Sequence, residues 1–267
     1  MGYSNQREQS RANKLVELLF IHYLEPLPVT GAAFFVYSMM PGRLNALTRI
    51  AALLVWAGTA VAQDDPPGFD FDQVVTSTFW QQLYPAGGWT LLCGQPFDPA
   101  RLLLDGRAVA IDHIYPLAGI VQTLGCRDRA QCRTRVGEKF ARMEADLHNL
   151  YPEVQELIAY RNGREFGMVD GEEWRFDECD VEWRNGILEP RQLARGNIAR
   201  AILYMRATYR SSLSDEFLEL MKVWNREDPP SKQEQERNAA IEILQGRRNT
   251  FIDHPAKVEN LRNLKRE

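Results

Sequence analysis

The residues with the strongest claim to chemistry are Asp112 and His113, adjacent in the run Ile111-Asp112-His113-Ile114-Tyr115-Pro116. A carboxylate beside an imidazole can set a cation ligand next to a general base. Hard divalent ions take oxygen donors, and a neutral imidazole accepts a proton near pH 7. The same pair serves equally as a hydrogen-bonded structural histidine, and the residues alone favour that plainer role. A second dense stretch, Glu144-Ala145-Asp146-Leu147-His148-Asn149-Leu150, follows about thirty positions later. Its His148, like His254 near the C-terminus, carries the same structural reading. Between the two stretches Arg127, Arg129, Arg133, Arg135, Lys139 and Arg142 fall within sixteen positions. Such a cluster is by default a solvated face, and it also has the charge to hold phosphate.

The elements that must position these groups are read from periodicity and punctuation. A short helix is expected over residues 74–83, ended by Pro85-Ala86-Gly87-Gly88, and short strands over residues 89–93 and 107–111. His113 then lies at or just past a strand end. Residues 137–150 read as helical or partly helical, with Phe140, Met143 and Leu147 on one face, and residues 152–160 as a second helical piece. Residues 161–180, rich in Gly and charge, read as loop with room for one strand. In the last third, Ile198, Ile202, Met205 and Tyr209 share a helical face. Ser214 caps a helix carrying Phe217, Leu220, Met221 and Trp224. After Pro229-Pro230, Ser231 with Glu234 makes a capping box for a helix ending at Gly246. Strands early and helices late describe one mixed α+β domain over residues 63–267.

Residues 1–62 are expected to lie outside that domain. Met39-Met40-Pro41-Gly42-Arg43 and Arg49 precede an apolar run over residues 50–61, which ends at Ala60-Val61-Ala62. Basic start, short apolar middle and small-residue exit describe a secretory signal over about residues 39–62, cut after Ala62. Twelve residues are too few to span a bilayer. Residues 1–38 carry no clear motif, which fits a start at Met39 or Met40. Removing residues 1–62 takes five of 32 Lys and Arg and three of 36 Asp and Glu, leaving 27 minus 33, or −6. An acidic total argues mildly against tight nucleic-acid binding, which rests on phosphate neutralisation. Cys93, Cys126, Cys132 and Cys179 all lie in the mature part, and an even number in an exported chain favours disulfides. Buried thiols are the alternative; the spacings fit no zinc motif well. Of three pairings, Cys126 with Cys132 and Cys93 with Cys179 is the one expected.

The hydrophobic-acid-His-x-x-Pro run at Ile111 to Pro116 resembles the signature of the endonuclease I family, secreted or periplasmic nucleases with a ββα-metal (His-Me finger) active site. The likeness continues in order. Met143-Glu144-Ala145-Asp146-Leu147-His148-Asn149-Leu150-Tyr151-Pro152 is close to the family's central motif. Glu189-Pro190 leads to Arg195-Gly196-Asn197-Ile198-Ala199-Arg200-Ala201 and Tyr204-Met205. Trp224, Asp228-Pro229, Glu236-Arg237-Asn238, Ile241, Gln245-Gly246-Arg247-Arg248-Asn249 and Phe251-Ile252-Asp253-His254-Pro255 complete it. The resemblance covers about residues 74–255. It implies a monomeric, exported endonuclease of the periplasm or medium, cutting DNA and possibly RNA with little sequence specificity and leaving 5′-phosphates. His113 would be the general base, Asp112 a ligand of a Mg²⁺-like ion, and Glu144 a supporting acid at the metal. Arg127, Arg129, Arg133 and Arg135 would hold phosphates on either side of the cut.

Two departures bear on the metal. The family usually has Glu where this chain has Asp112, which keeps the ligand type but moves its oxygen by about 1 Å. The family's second ligand, an Asn six residues after the motif's proline, falls here on Ile158, which cannot coordinate a cation. Asn162, one helical turn on, would share a face with it if the segment is helical. These departures leave a second reading: a weakened family member acting as a nucleic-acid-binding or envelope protein.

Overall fold

The computed structural model describes residues 70–262, apart from residues 172, 173 and 177. The expected signal and N-terminal extension lie outside the described residues. A helical turn at Phe71–Gln73, capped by the Asp70 carboxylate, runs into α1 (Val74–Leu83), which is wound as a π-helix. β1 (Gly88–Trp89) and β2 (Pro96–Phe97) form a small antiparallel ladder, shorter than the strand expected over residues 89–93, where the chain turns at Leu91–Cys93 instead.

The element that carries the site is β3 (Val109–His113), paired antiparallel with β4 (Leu150–Val154) so that His113 faces Leu150. α5 (Gln155–Arg161) follows β4 directly, which makes a ββα unit. Three helices fill the connection between its strands: α2 (Leu117–Thr123), α3 (Arg129–Arg135) and α4 (Gly137–Glu144). β4 corrects the helical reading at residues 150 and 152–154, and the turn before it that of residues 145–149. Its Pro152 looks foreign to a strand, but the ladder does not need its N–H. Ile114 N–H donates to the Asn149 carbonyl (3.0 Å) and Gln155 N–H to the Ala108 carbonyl (2.9 Å), so the even positions of β3 hold the ladder bonds. Pro152 faces Ile111, an odd position, where no donor is called for. The Pro152 carbonyl points the other way and accepts from Leu91 N–H at 3.1 Å.

A three-stranded antiparallel sheet follows: β5 (Trp174–Phe176), β6 (Cys179–Arg184) and β7 (Ile187–Pro190). The last third is helical as expected, with α6 (Gln192–Tyr209), α7 (Asp215–Glu227) capped by Ser214, and α8 (Lys232–Gln245) capped by Ser231. α6 runs through the core, with Ile198, Ala199, Ala201, Ile202, Leu203 and Met205 buried against Met221 and Trp224 of α7. The close approach needs Gly196: a Cβ there would lie 1.9 Å from the Asp228 carbonyl oxygen. Inside this core the Arg200 guanidinium is fully buried and paired with Glu234 at 2.5 Å, tying α6 to the first turn of α8. Helices and small antiparallel sheets together make the fold α+β. Disulfides join Cys93 to Cys179 and Cys126 to Cys132. No helix among the described residues is long and apolar enough to cross a membrane.

Candidate active site

Side chains alternate along a strand, so the adjacent Asp112 and His113 leave β3 on opposite faces. On one face, the Nε2 of His113 lies 2.8 Å from the Glu144 carbonyl oxygen at the end of α4. A carbonyl only accepts, so the neutral imidazole carries its proton on Nε2 and its lone pair on Nδ1. Burial lowers the His113 pKa from its ordinary value; the bond to Glu144 and the Asp112 and Glu144 charges oppose that shift. The ring is therefore neutral near pH 7. Phe71 stacks on it, with centroids 5.4 Å apart and planes 24° apart. The run Asp64 to Phe71, acidic and containing Pro and Gly, reads from sequence as a flexible lead-in, but Phe71 packs on the imidazole as a wall of the site. Residues 64–69 of that lead-in lie outside the described residues.

The chain around His113 is held by polar groups whose residue types carry no obvious signal. Asn149 accepts from Tyr115 N–H (2.6 Å) and donates to the Tyr115 carbonyl (2.9 Å), pinning the backbone just past the histidine. α8 holds the facing segment. Arg237 donates to the Leu147 carbonyl (2.7 Å) and the Leu150 carbonyl (2.5 Å), and Gln245 bonds Leu147 N–H and the Asp146 carboxylate, each at 2.9 Å. His148 takes the structural role. It is buried, bonded to the Arg247 carbonyl at 2.9 Å and packed on Tyr204, and burial lowers its pKa to about 4. His254 is the exposed C-cap of the short helix Thr250–Asp253.

On the other face of β3, Asp112 is an ion-pair partner. One guanidinium nitrogen of Arg161 donates to both Asp112 carboxylate oxygens, at 2.8 and 2.7 Å, and to the His113 carbonyl at 3.0 Å. The other donates to the Ile114 carbonyl at 2.8 Å. Arg161 is 1% exposed and Asp112 6%, so the last residue of α5 clamps the end of the strand that carries the histidine.

Glu144 is buried and faces the arginine cluster. Arg129 and Arg133 lie one turn apart on α3 and so share a face; they reach its two oxygens at 2.5 and 3.7 Å. Both guanidinium groups stay about half exposed. Two positive charges against one carboxylate leave a local excess of one beside His113. The other two arginines are not drawn in: Arg127 pairs with its neighbour Asp128, and Arg135 donates to the Gly125 carbonyl.

The residues expected to hold a metal are engaged by other groups. Among the described residues no group of three or more His, Cys, Asp or Glu side chains is placed to hold a metal ion. Asp112 and Glu144 are each engaged by guanidinium groups and Ile158 offers no donor. Asn162 is the exposed, left-handed cap that ends α5 (φ 46°); its N–H still bonds the Ile158 carbonyl at 2.9 Å, closing the last helical turn. As these side chains stand, they do not fit a cation.

A family model described as Endonuclease I matches residues 102–256, more than half of the chain. The chain belongs to the endonuclease I family. It is 31% identical over 166 residues to an extracellular deoxyribonuclease of Aeromonas hydrophila, covering 60% of this chain and 72% of that protein. A periplasmic deoxyribonuclease of Aeromonas hydrophila is 31% identical over 146 residues, 53% of this chain and 62% of the relative. An extracellular ribonuclease of Bacillus amyloliquefaciens is 29% identical over 129 residues, 41% and 44% of the two chains. In this endonuclease I chain, the residues that sequence reasoning missed are Phe71, Asn149 and Arg161, which act by position. An Asn beside a strand start and an Arg at a helix end are too common to signal it.

Proposed function

We propose that this endonuclease I chain is an exported enzyme that hydrolyses phosphodiester bonds of DNA, and of RNA as well, with His113 as general base. Its relatives by name are extracellular and periplasmic nucleases, and its two disulfides suit an oxidising compartment. One observation carries the mechanism: the bond from His113 Nε2 to the Glu144 carbonyl leaves Nδ1 as the basic atom of a neutral ring. Nδ1 takes a proton from water. The water oxygen bonds to phosphorus as the bond to the 3′ oxygen breaks, and that oxygen is protonated by solvent, leaving a 5′-phosphate. Arg129 and Arg133, with their surplus charge, attract the phosphate and balance the charge that develops on it. Contacts of this kind carry no sequence information.

A Mg²⁺-like ion is part of this reading on the resemblance alone. It would need Asp112 or Glu144 to exchange a guanidinium for the cation. The Asp112–Arg161 pair thus supports a second reading, a family member that binds nucleic acid and cuts it poorly. Incubation of purified protein with plasmid DNA and with RNA, with Mg²⁺ and with EDTA, separates the two. The first reading expects cleavage that His113→Ala lowers by about 10²- to 10⁴-fold. Intact DNA and RNA under every ion condition, with salt-sensitive binding retained, would sink it in favour of the second.

A further inference from the structure

Phe71 stacks on His113, and the Arg129 guanidinium sits 5.6 Å from its ring centroid. Phe71 also lines a groove of about 510 Å³ whose walls include Trp80, Arg101, Val109, Ile111 and Gln155. That volume is in the range of small-molecule sites. Val109, Ile111 and His113 project from the same face of β3, and two residues along a strand advance about 6.8 Å. The groove therefore starts one short step from the imidazole along β3.

A strained residue is among those lining the groove. Arg101 has φ 65°, a left-handed conformation uncommon for a long side chain. It is held there by its own N–H on the Asp98 carbonyl (2.9 Å) and by Val109 N–H on its carbonyl (2.8 Å). Held so, its guanidinium lies 5.4 Å from the centroid of the Trp80 ring. Trp80 is in turn braced edge-on by Phe79 and Phe97, with centroids 4.8 and 6.0 Å away. Aromatic rings and guanidinium planes around an apolar slot are what an unstacked base packs against, whatever its identity. The exposed Gln155 adds an amide that can both donate and accept at a base edge.

We infer that this groove is a nucleobase subsite, taking the base of a nucleotide next to the cleaved phosphate, with Trp80 and Arg101 as its binding residues. The inference rests on the nuclease reading and deepens it, because a base can enter the groove only out of a helical stack. Single-stranded DNA or RNA is then the better substrate.

The test uses the purified protein and single-stranded DNA tetranucleotides, unmodified or abasic at one position at a time. Trp80→Ala should lower kcat/KM on the unmodified tetranucleotide by about tenfold, the low end of what one stacked base contributes, mainly through KM. Arg101→Gln, at an exposed residue, should act in the same direction by a smaller factor. The Trp80→Ala effect should vanish on the tetranucleotide abasic beside the cut, since the base it serves is already gone. A partly unfolded variant would lose equally on every substrate, so the ratio between substrates reads the subsite alone. Equal losses on all tetranucleotides, or kcat/KM within twofold of wild type on all, would overturn the subsite. If wild-type protein cuts none of them, the nuclease reading is judged on plasmid DNA and RNA as above. Anisotropy of a labelled tetranucleotide then decides the subsite, by whether Trp80→Ala weakens binding about tenfold or leaves it unchanged.

Discussion

Replacing Arg161 by Met tests whether Asp112 is held for structure or kept for the reaction. The pair is buried, at 1% and 6% exposure, and the same guanidinium also serves the His113 and Ile114 carbonyls. Removing one partner of a buried pair costs about 3–5 kcal/mol, because the remaining charge loses its compensation. Two more acceptors lose a charged donor, so a cost near the upper end, about 5 kcal/mol, is expected. For a domain of this size each kcal/mol moves Tm by about 2–4 °C, which gives a fall of about 10–20 °C. Urea unfolding of wild type, Arg161→Met, Asp112→Leu and the double variant closes a mutant cycle. The double variant buries no unpaired charge and should recover about half of the loss. A cost below about 1 kcal/mol for Arg161→Met would refute the clamp. So would an Asp112→Asn variant that keeps wild-type Tm but loses cleavage, since that carboxylate would then serve the reaction instead of Arg161.

Four further outcomes follow from the structure. Because burial lowers the His113 pKa below its ordinary value of 6.5, the base stays neutral below that pH. The acid limb of kcat/KM should have its midpoint under pH 6.5; a midpoint above it would contradict the buried geometry. The same shift means the unfolded chain takes up the proton first as pH falls through 6.5, so this group's contribution to stability is lost toward acid. Gly196→Ala should cost about 3 kcal/mol or more in urea unfolding, since its methyl would meet the backbone oxygen of Asp228 at 1.9 Å and not a side chain that can swing away. Reducing the disulfides should lower stability by about 4–5 kcal/mol for Cys93–Cys179, with its separation of 86, and by about 2 kcal/mol for Cys126–Cys132, with a separation of 6. Single Cys-pair replacements read the two losses separately.

Much of this protein is legible in its residues by themselves. The helical last third follows from periodicity and from Ser214 and Ser231, because a cap is a local bond between a hydroxyl and an amide three residues on. The likeness to endonuclease I and the choice of His113 rest on motif order. Both disulfides join the cysteines in the favoured one of three possible pairings; the even count by itself pointed only to disulfides. What the residues could not show is orientation. Asp112 and His113 are neighbours in sequence, yet a strand sends them to opposite faces, so the acid meets Arg161 and the base meets the Glu144 carbonyl. β4 hid behind Pro152, because whether a proline fits a strand depends on which ladder position it faces. Arg129 and Arg133 stand apart from Arg127 and Arg135 only once α3 is packed beside Glu144. Phe71 becomes part of the site only when the helical turn before α1 packs on the imidazole. Local chemistry depends on residue type and spacing, which a sequence displays. Which side chain meets which across the fold depends on tertiary packing, which no short window of sequence contains.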